Sequence, residues 1–287
     1  MTEPTKVLSF FHEATSTATH LVVDTASGDA AVIDPVLDFE PANGRTATVF
    51  TDTILAALAE AGGTLRWVLE THLHADHLSS SQYLREKTGA RIAIGALTPK
   101  IQAVFIPKFG AADVRPEGGD FDLLLKEGDR IPLGAQSIEV WHTPGHTAGC
   151  LTFLIGDAAF IGDTLFMPDY GTARTDFPTG DAAALYRTIQ RLHALPDTTR
   201  LFLCHDYLGP GRTTTAWVTT VAASRRNAHL AGIADEAGFV AFRQRKDKTL
   251  APPRLLAPAV QVNIRAGRMP PAESDGRAYL RIPVNGL

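Results

Sequence analysis

Three histidines and an aspartate stand within six residues of each other, from His72 to His77. In an extended segment residues i and i+2 face the same way, so His72 and His74 can converge on one point, while a turn would aim Asp76 and His77 at a neighbouring point. Imidazole and carboxylate groups are ligands of zinc and iron. A solvated polar loop accounts for one or two histidines. Four donors directly after the buried strand expected at 66–70 favour a metal site instead.

Three further donors each follow a segment with the apolar pattern of a strand or its loop. They are His146 in Thr-Pro-Gly-His-Thr, Asp163 in Ile-Gly-Asp-Thr-Leu, and His205 in Leu-Cys-His-Asp-Tyr. Gly145 and Gly162 directly precede two of them and would allow close backbone approach, although a plain turn explains each glycine equally well. Each motif is weak evidence alone. Together with the histidine cluster, they predict one metal centre with seven potential ligands.

Apolar segments typical of strands alternate with helical patterns along the chain, which favours a layered α/β fold. We expect helices at 48–61, 79–87, 181–193 with Asp181 as N-cap, 217–230 and 235–245, and strands at 21–23, 30–33, 66–70, 91–94, 137–141, 151–155, 158–161 and 200–204. The tail from Ala251 contains six prolines, and we expect it to be an extended wrap or a subunit contact. Its apolar residues (Leu255, Leu256, Val260, Val262, Ile264) favour a homodimer contact over a disordered linker.

Composition excludes several other classes of protein. The 287 residues are 45% apolar and 20% charged, which is typical of a globular chain. A net charge of -4 leaves no basic excess for nucleic acid. The first residues lack the apolar core of a signal peptide, and the apolar run 151–162 is interrupted by Asp157, so we expect no membrane segment. Two cysteines are too few for a disulfide framework, so we expect a reducing, cytoplasmic location.

The four motifs, in this order over residues 71–207, resemble those of the metallo-β-lactamase superfamily. The resemblance implies an α/β fold, the αββα sandwich, with two mixed β-sheets flanked by helices and a metal cleft at one edge. It further implies a core at 1–212 and a C-terminal extension at 213–287 packed on the same domain.

Within the superfamily the chain most resembles the persulfide dioxygenases, including a bacterial branch often called β-lactamase-like hydrolase. Gly-x-x-Arg-Thr-Asp-Phe at 171–177 resembles the element that follows the metal-binding aspartate in those enzymes. His-Asp-Tyr at 205–207 stands where glyoxalase II usually has His-Glu-Tyr, and the segments 261–265 and 279–283 resemble the extension of the bacterial branch. The stretch between His77 and His146 is longer than in the mitochondrial type.

Seven ligands can hold two zinc ions or one iron, and residue identity alone does not choose between them. The resemblance implies one Fe(II) per chain on His72, His146 and Asp163. It also implies that four other residues do not bind the iron but orient its ligands and exclude a second metal: His74, Asp76, His77 and His205. The implied reaction is oxidation of glutathione persulfide by O2 to sulfite and glutathione. A two-zinc thioesterase of the glyoxalase II type, acting on S-acylglutathione, and a non-catalytic metal-binding sensor are the alternatives.

Three further residues are candidates for substrate contacts. Arg174 could grip a glutathione carboxylate in bidentate fashion or form a structural salt bridge with Asp176 or Asp169. Tyr207 could direct its hydroxyl at the substrate thiol or at oxygen, or be a core aromatic. His229 lies in the segment 227–230, where the mitochondrial type has an Asn-Pro-Arg glutathione contact.

The remaining histidines and both cysteines carry no ligand pattern. We expect His142 to be structural, like His12, His20 and His193, and we expect Cys150 and Cys204 to be small buried hydrophobes. Asp34-Pro35 ends a strand near the place where the superfamily keeps a buried aspartate, so the resemblance implies that Asp34 gives structural support.

Overall fold

The computed structural model describes residues 5–115 and 117–286. The strands are β1 Thr5–His12, β2 Thr17–Asp24, β3 Asp29–Ile33, β4 Val36–Glu40, β5 Arg45–Ala47, β6 Thr64–Leu69, β7 Leu78–Ser79, β8 Arg91–Gly95, β9 Leu123–Leu125, β10 Arg130–Leu133, β11 Gln136–His142, β12 Leu151–Ile155, β13 Ala158–Phe160, β14 Arg200–Phe202 and β15 Val218–Thr220. The helices are α1 Val49–Glu60, α2 Ser81–Thr88, α3 Thr98–Phe109, α4 Ala182–His193, α5 Val221–Ser224, α6 Glu236–Asp247 and α7 Leu256–Asn263.

Two six-stranded mixed sheets form the centre of the fold. The first has the order β1-β2-β3-β6-β8-β9 and the second β10-β11-β12-β13-β14-β15, and a small sheet of β5-β4-β7 lies beside them. Six of the ten neighbouring pairs in these two sheets are antiparallel, but β3 pairs parallel with β6, β6 with β8, β8 with β9, and β13 with β14. Each sheet therefore mixes hairpin connections with crossovers.

Side chains that alternate along the strands bury both faces of each sheet. On β2, Val22 packs into the core between the two sheets, while its neighbours Leu21 and Val23 pack against the helices α1, α2, α3 and α7. On the far side of the second sheet, Leu201 and Leu203 pack against α4 and α6. The layers are helix, sheet, sheet, helix, which confirms the predicted αββα sandwich.

The topology gathers the metal-ligating motifs at one edge. β13 and β14 run parallel, so Asp163 and His205, which follow them, leave the second sheet on the same side. β3 and β6 run parallel in the first sheet, which places Asp34 beside the loop that begins at Thr71. The loop between β11 and β12 adds His146.

Most predicted elements agree with the structure, but the helix expected at 217–230 is wrong. Val218–Thr220 is instead an edge strand paired with β14, and only Val221–Ser224 is helical. The β-branched residues at 218–220 favour a strand, and the Thr220 hydroxyl then caps the short helix by accepting from the backbone N–H of Ala223. The sequence pattern also missed β1 and the helix α3.

The tail differs from its expected extended form, because Leu256–Asn263 is a helix. Leu255, Val260, Val262 and Ile264 are 0–3% exposed and pack within the chain's own core, with Leu256 half-buried beside them. The apolar surface of these residues is therefore covered within the chain, and the expected homodimer stays a prediction.

Within the described residues, no helix has both the length and the apolar content needed to cross a bilayer.

Candidate metal centre

The loop after β6 is held by a buried aspartate from the end of β3. Asp34 Oδ1 accepts a hydrogen bond from the backbone N–H of Thr71 at 2.7 Å, and its Oδ2 accepts from the Thr71 hydroxyl at 2.8 Å. The same Oδ1 lies 2.9 Å from His74 Nε2. Asp34 adopts a left-handed backbone with φ 51°, a cost that these bonds offset. The supporting role predicted for Asp34 is confirmed.

One group of donors consists of His72, His146 and Asp163, whose ligand atoms all lie within 4.8 Å of each other. Asp163 Oδ2 is 3.7 Å from His72 Nε2 and 3.9 Å from His146 Nε2. The other ring nitrogens are engaged elsewhere. His72 Nδ1 lies 3.0 Å from the Thr71 hydroxyl, and His146 Nδ1 lies 2.8 Å from the carbonyl oxygen of Arg174. Both rings thus present Nε2 to Asp163, as ligands of a shared metal do.

The glycines before two of these ligands are required by close packing. A Cβ on Gly145 would lie 2.4 Å from the Cα of Leu185 in α4, and one on Gly162 would lie 2.6 Å from the Thr71 hydroxyl. Their φ angles of 153° and 52° disfavour any other residue. The close-approach interpretation therefore holds over the plain-turn one.

A second group consists of His74, Asp76, His77 and His205, with ligand atoms again within 4.8 Å of one another. His205 Nε2 is 3.0 Å from Asp76 Oδ2, and His77 Nδ1 is 3.4 Å from Asp76 Oδ1. Asp163 joins the two groups, because its Oδ1 lies 3.6 Å from His205 Nε2. The seven predicted ligands thus form one contiguous cluster.

Three buried atoms of this cluster make no hydrogen bond with a described residue: Asp163 Oδ1, His74 Nδ1 and His77 Nε2. A buried polar atom without a partner destabilises a fold by about 1–3 kcal/mol. All three belong to residues of the donor groups, and a cation bound among the donors would offer such atoms a partner. The donor set fits iron held by His72, His146 and Asp163, and it also fits two metals bridged by Asp163.

Burial and mutual charge shift the ionisation of these groups. Burial lowers the pKa of His72 well below its usual value, and the neighbouring His74 lowers it further, so this ring stays neutral as a metal ligand requires. Burial raises the pKa of Asp163. Burial alone would lower the pKa of His205, but the carboxylates of Asp76 and Asp163 raise it to about 9.

A cavity of about 630 Å³ opens onto Asp163, His146 and Asp76. Its walls are mostly apolar and include Phe166, Tyr170, Phe177 and Leu255. A ligand-sized space with apolar walls and polar groups at one end is the usual form of a substrate pocket.

Tyr207 stands at the mouth of this cavity, between it and the second group of donors. Its ring stacks on His205 at a centroid distance of 5.2 Å, and its hydroxyl donates to Asp76 Oδ2 at 3.1 Å. The residue is 37% exposed, so it is not a core aromatic. Its role at the substrate stays a prediction.

Arg174 lines the cavity, but its guanidinium is already engaged. Nε and one terminal nitrogen donate to the two oxygens of Asp176 at 2.6 and 2.8 Å, and the other terminal nitrogen donates to the Ala251 carbonyl at 2.8 Å. The salt bridge predicted as the alternative is therefore present with Asp176, while Asp169 pairs with Arg212. A contact to substrate carboxylate stays a prediction.

His229 also lines the cavity, and its Nδ1 accepts from the backbone N–H of Thr172 at 2.9 Å. Burial lowers its pKa to about 4, with a further contribution from Arg243, so the ring is neutral near pH 7. It can therefore offer hydrogen bonds but no positive charge to a substrate.

The residues expected to be structural have structural partners. His142 Nε2 lies 2.8 Å from the Ala148 carbonyl, His20 Nε2 lies 3.0 Å from the Leu203 carbonyl, His12 pairs with Asp38, and His193 lies 3.0 Å from the Ser224 hydroxyl. Cys150 and Cys204 are free and buried, as predicted, and burial raises the pKa of Cys150 to about 12.

The sequence patterns did not single out Glu70 and Asn263. Glu70 is 3% exposed, lies 3.4 Å from His74 Nε2, and accepts from the hydroxyls of Ser79 and Ser81. A carboxylate at the end of a buried strand was the available signal for Glu70. Asn263 donates a hydrogen bond to the carbonyl of His77, which lies 186 residues earlier in the chain. No local sequence pattern indicates a contact over such a separation.

Comparison with known proteins agrees with this geometry. The family model described as the metallo-beta-lactamase superfamily matches residues 13–205. A probable metallo-hydrolase of Burkholderia pseudomallei (strain 1710b) is 47% identical over 98% of this chain and 99% of its own length. Glyoxylase B2 of Dictyostelium discoideum is 37% identical over 100% of this chain and 99% of its own, and the mitochondrial persulfide dioxygenase ETHE1 of Homo sapiens is 32% identical over 72% and 70%.

The crystal structure of ETHE1 from Myxococcus xanthus has a similar fold. It superposes with a TM-score of 0.73 at 32% identity, covering 92% of this chain and 100% of that one. The chain also matches the beta-lactamase hydrolase-like protein of Agrobacterium fabrum at 44% identity, over 98% of this chain, and spans 65% of that protein's length.

Proposed function

The chain belongs to the metallo-beta-lactamase superfamily, whose members are mostly metal-dependent enzymes, and on that basis we propose that it is an iron-dependent persulfide dioxygenase. Its substrate would be glutathione persulfide. Each turnover would consume one O2 and one water and release glutathione, sulfite and two protons. The relationship to persulfide dioxygenases, at 32% identity over 72% of the chain, supports this reaction.

The observation that carries the proposal is that two imidazoles and one carboxylate form a group of their own within the cluster. His72, His146 and Asp163 form a set of two imidazoles and one carboxylate, which is typical of iron(II) oxygenases. In the other group, Asp76 Oδ2 already accepts from Tyr207 and lies 3.0 Å from His205. A second metal ion would have to displace these contacts, which favours a site with a single metal ion.

The cavity also suits an anionic thiol compound of glutathione size. Its apolar walls can accept the persulfide group of the ligand and direct it towards His146 and Asp163. Lys246 and Arg254 lie on its exposed rim, and neither makes an ion pair with a described residue. Two unpaired cations favour a ligand with carboxylates.

In this proposal the residues of the chain divide the work by position. His72, His146 and Asp163 would hold the iron, which supplies the redox chemistry with O2. Tyr207 would release Asp76 and direct its hydroxyl at the terminal sulfur of the substrate. With the substrate bound, the apolar side chains of Phe166 and Phe177 would help to exclude water from the reacting end.

A second candidate is a two-zinc thioester hydrolase of the glyoxalase II type. Two buried atoms without a hydrogen bond, His77 Nε2 and Asp163 Oδ1, favour it, because they could hold a second cation. The similarity to Glyoxylase B2 and to a probable metallo-hydrolase also favours it.

One preparation separates the two candidates. The protein is purified under low oxygen without added metal, its iron and zinc are counted, and oxygen uptake is followed with glutathione persulfide. We expect one iron per chain and oxygen uptake matched by sulfite. Hydrolysis of S-lactoylglutathione by a two-zinc preparation, without oxygen uptake, would contradict the dioxygenase proposal.

A further inference from the structure

The buried side-chain amide of Asn263, on α7, bonds to the metal-ligating loop at three points. Its Nδ2 donates to the carbonyls of His74 and His77 at 2.9 and 2.8 Å, and its Oδ1 accepts from the backbone N–H of Ser79 at 2.8 Å. Asn263 is 5% exposed. The three bonds use both kinds of hydrogen-bonding group that an amide offers.

These bonds matter because the loop lies outside the regular strands. Without Asn263, two backbone carbonyls and one backbone N–H would lose this buried partner, which is unfavourable if the site stays dry. The loop would then rearrange to regain hydrogen bonds. His74 and His77 would move with their own backbone.

A buried ion pair on α6 contacts a second segment of the site. The Arg243 guanidinium donates to Asp247 Oδ1 at 2.8 and 2.9 Å and to the Thr172 carbonyl at 3.1 Å. Asp247 Oδ2 accepts from the backbone N–H and the hydroxyl of Thr175 at 3.0 and 2.9 Å. Arg243 is 1% and Asp247 4% exposed, so this pair is fully enclosed.

The segment fixed by this pair orients a metal ligand. Arg174 lies between Thr172 and Thr175, and its carbonyl faces His146 Nδ1 at 2.8 Å. The Arg243–Asp247 pair therefore fixes the segment 172–175, and the carbonyl of Arg174 in this segment forms a hydrogen bond with His146. Partners of this kind fix the ring orientation of a ligating histidine and tune its affinity for metal.

We propose that the C-terminal extension completes the metal centre, with Asn263, Arg243 and Asp247 as positioning residues for the two ligand-bearing segments. All three residues lie beyond residues 13–205, the part that matches the superfamily model. The inference rests on the site being a metal centre, and it holds for either candidate reaction.

Binding of Co(II) alone to the metal-free protein tests the role of Asn263. Asn263→Ala should weaken Co(II) binding by about 10–100-fold and shift the visible Co(II) spectrum. Gln261→Ala is the matched control. Gln261 is an equally buried amide on the same helix, but its bonds go to Ala257 and to the backbone of Arg281 in the tail.

The melting temperature of each metal-free variant is measured alongside. We expect both substitutions to lower it, and only Asn263→Ala to lower the metal affinity. If Gln261→Ala weakens Co(II) binding as much as Asn263→Ala, the effect is general destabilisation and the proposal is wrong.

Arg243→Lys tests the second contact and does not depend on Asn263→Ala folding. It keeps the charge beside Asp247 but removes the fork that reaches Thr172. Arg187→Lys is its control. Arg187 lies on α4 and pairs with Glu236, which is at the exposed start of α6 and far along the helix from Arg243. We expect weaker Co(II) binding for Arg243→Lys only, and equal affinities for the two variants would overturn the role of Arg243.

Failure of this inference can be told apart from failure of the proposed function. Co(II) affinity does not depend on which reaction the enzyme catalyses. A chain that consumes no oxygen but loses metal on Asn263→Ala would contradict the dioxygenase and leave the positioning role intact.

Discussion

Asp163 is the side chain on which the cluster depends most, because its two oxygens face different histidines. Oδ2 faces His72 and His146, while Oδ1 faces His205. Desolvation raises the pKa of Asp163, because the buried carboxylate has lost the water that would stabilise its negative charge. A cation bound nearby would stabilise that charge instead.

If the proposed iron site is right, His72→Ala or Asp163→Ala should abolish iron retention, since either change removes one of the three proposed ligands. The measurement is metal content after dialysis, with circular dichroism to check the fold. His142→Ala is the control, because that ring bonds to the Ala148 carbonyl outside the cluster and should leave metal content unchanged. Loss of iron in the control alone would contradict the assignment of ligands.

Among the elements, α4 directly supports the turn that precedes His146. The backbone N–H of Asp181 donates to the Gly145 carbonyl at 2.9 Å, and the Thr188 hydroxyl donates to the Pro144 carbonyl at 2.8 Å. The side chain of Asp181 caps the helix by accepting from Ala183 and Ala184. The turn before His146 therefore rests on the first turns of α4.

Gly145→Ala should displace this turn, because its Cβ would lie 2.4 Å from the backbone of Leu185. We expect loss of iron together with lower stability. Gly156→Ala is the control: its φ is 58°, with nothing within 4 Å of the added Cβ, so it should cost about 1–2 kcal/mol and retain metal. The measurements are iron content and the free energy of unfolding. Full metal retention in Gly145→Ala would refute the close-packing argument.

At the scale of the whole molecule, the cavity lies between the αββα core and the C-terminal extension. Asp163 and His146 come from the core, whereas Lys246, Arg254 and Leu255 come from the extension. In the proposed function, the core would supply the metal ligands and the extension would supply the charges that hold the substrate.

Replacing both Lys246 and Arg254 with Ala should raise the KM for glutathione persulfide and leave kcat unchanged, because the cations would hold carboxylates far from the metal. Each exposed charge contributes about 0.2–1 kcal/mol, so we expect a rise of about two- to thirtyfold that added salt reduces. Lys248→Ala, on the same helix end but outside this cavity, is the control. A fall in kcat at constant KM would contradict this role.

The fold and the seven ligands could be predicted from the sequence because both leave local signals. Strand and helix periodicity reflects burial within a few residues, and His72, His74, Asp76 and His77 are neighbours along the chain. The helix expected at 217–230 failed because pairing with β14 decided its conformation. The buried state of the tail was likewise decided by partners distant in the sequence.

By itself, the sequence determined the donor set, since metal ligands must be particular residue types at close spacing. Only the tertiary structure decided which donors share a point in space and which oxygens of Asp163 face which ring. It also decided that Arg174 pairs with Asp176 rather than Asp169, and it alone revealed the hydrogen bonds from Asn263 and Arg243 to the two segments. Hydrogen bonds between residues far apart in the chain leave no periodic trace, because they depend on how the packed layers meet.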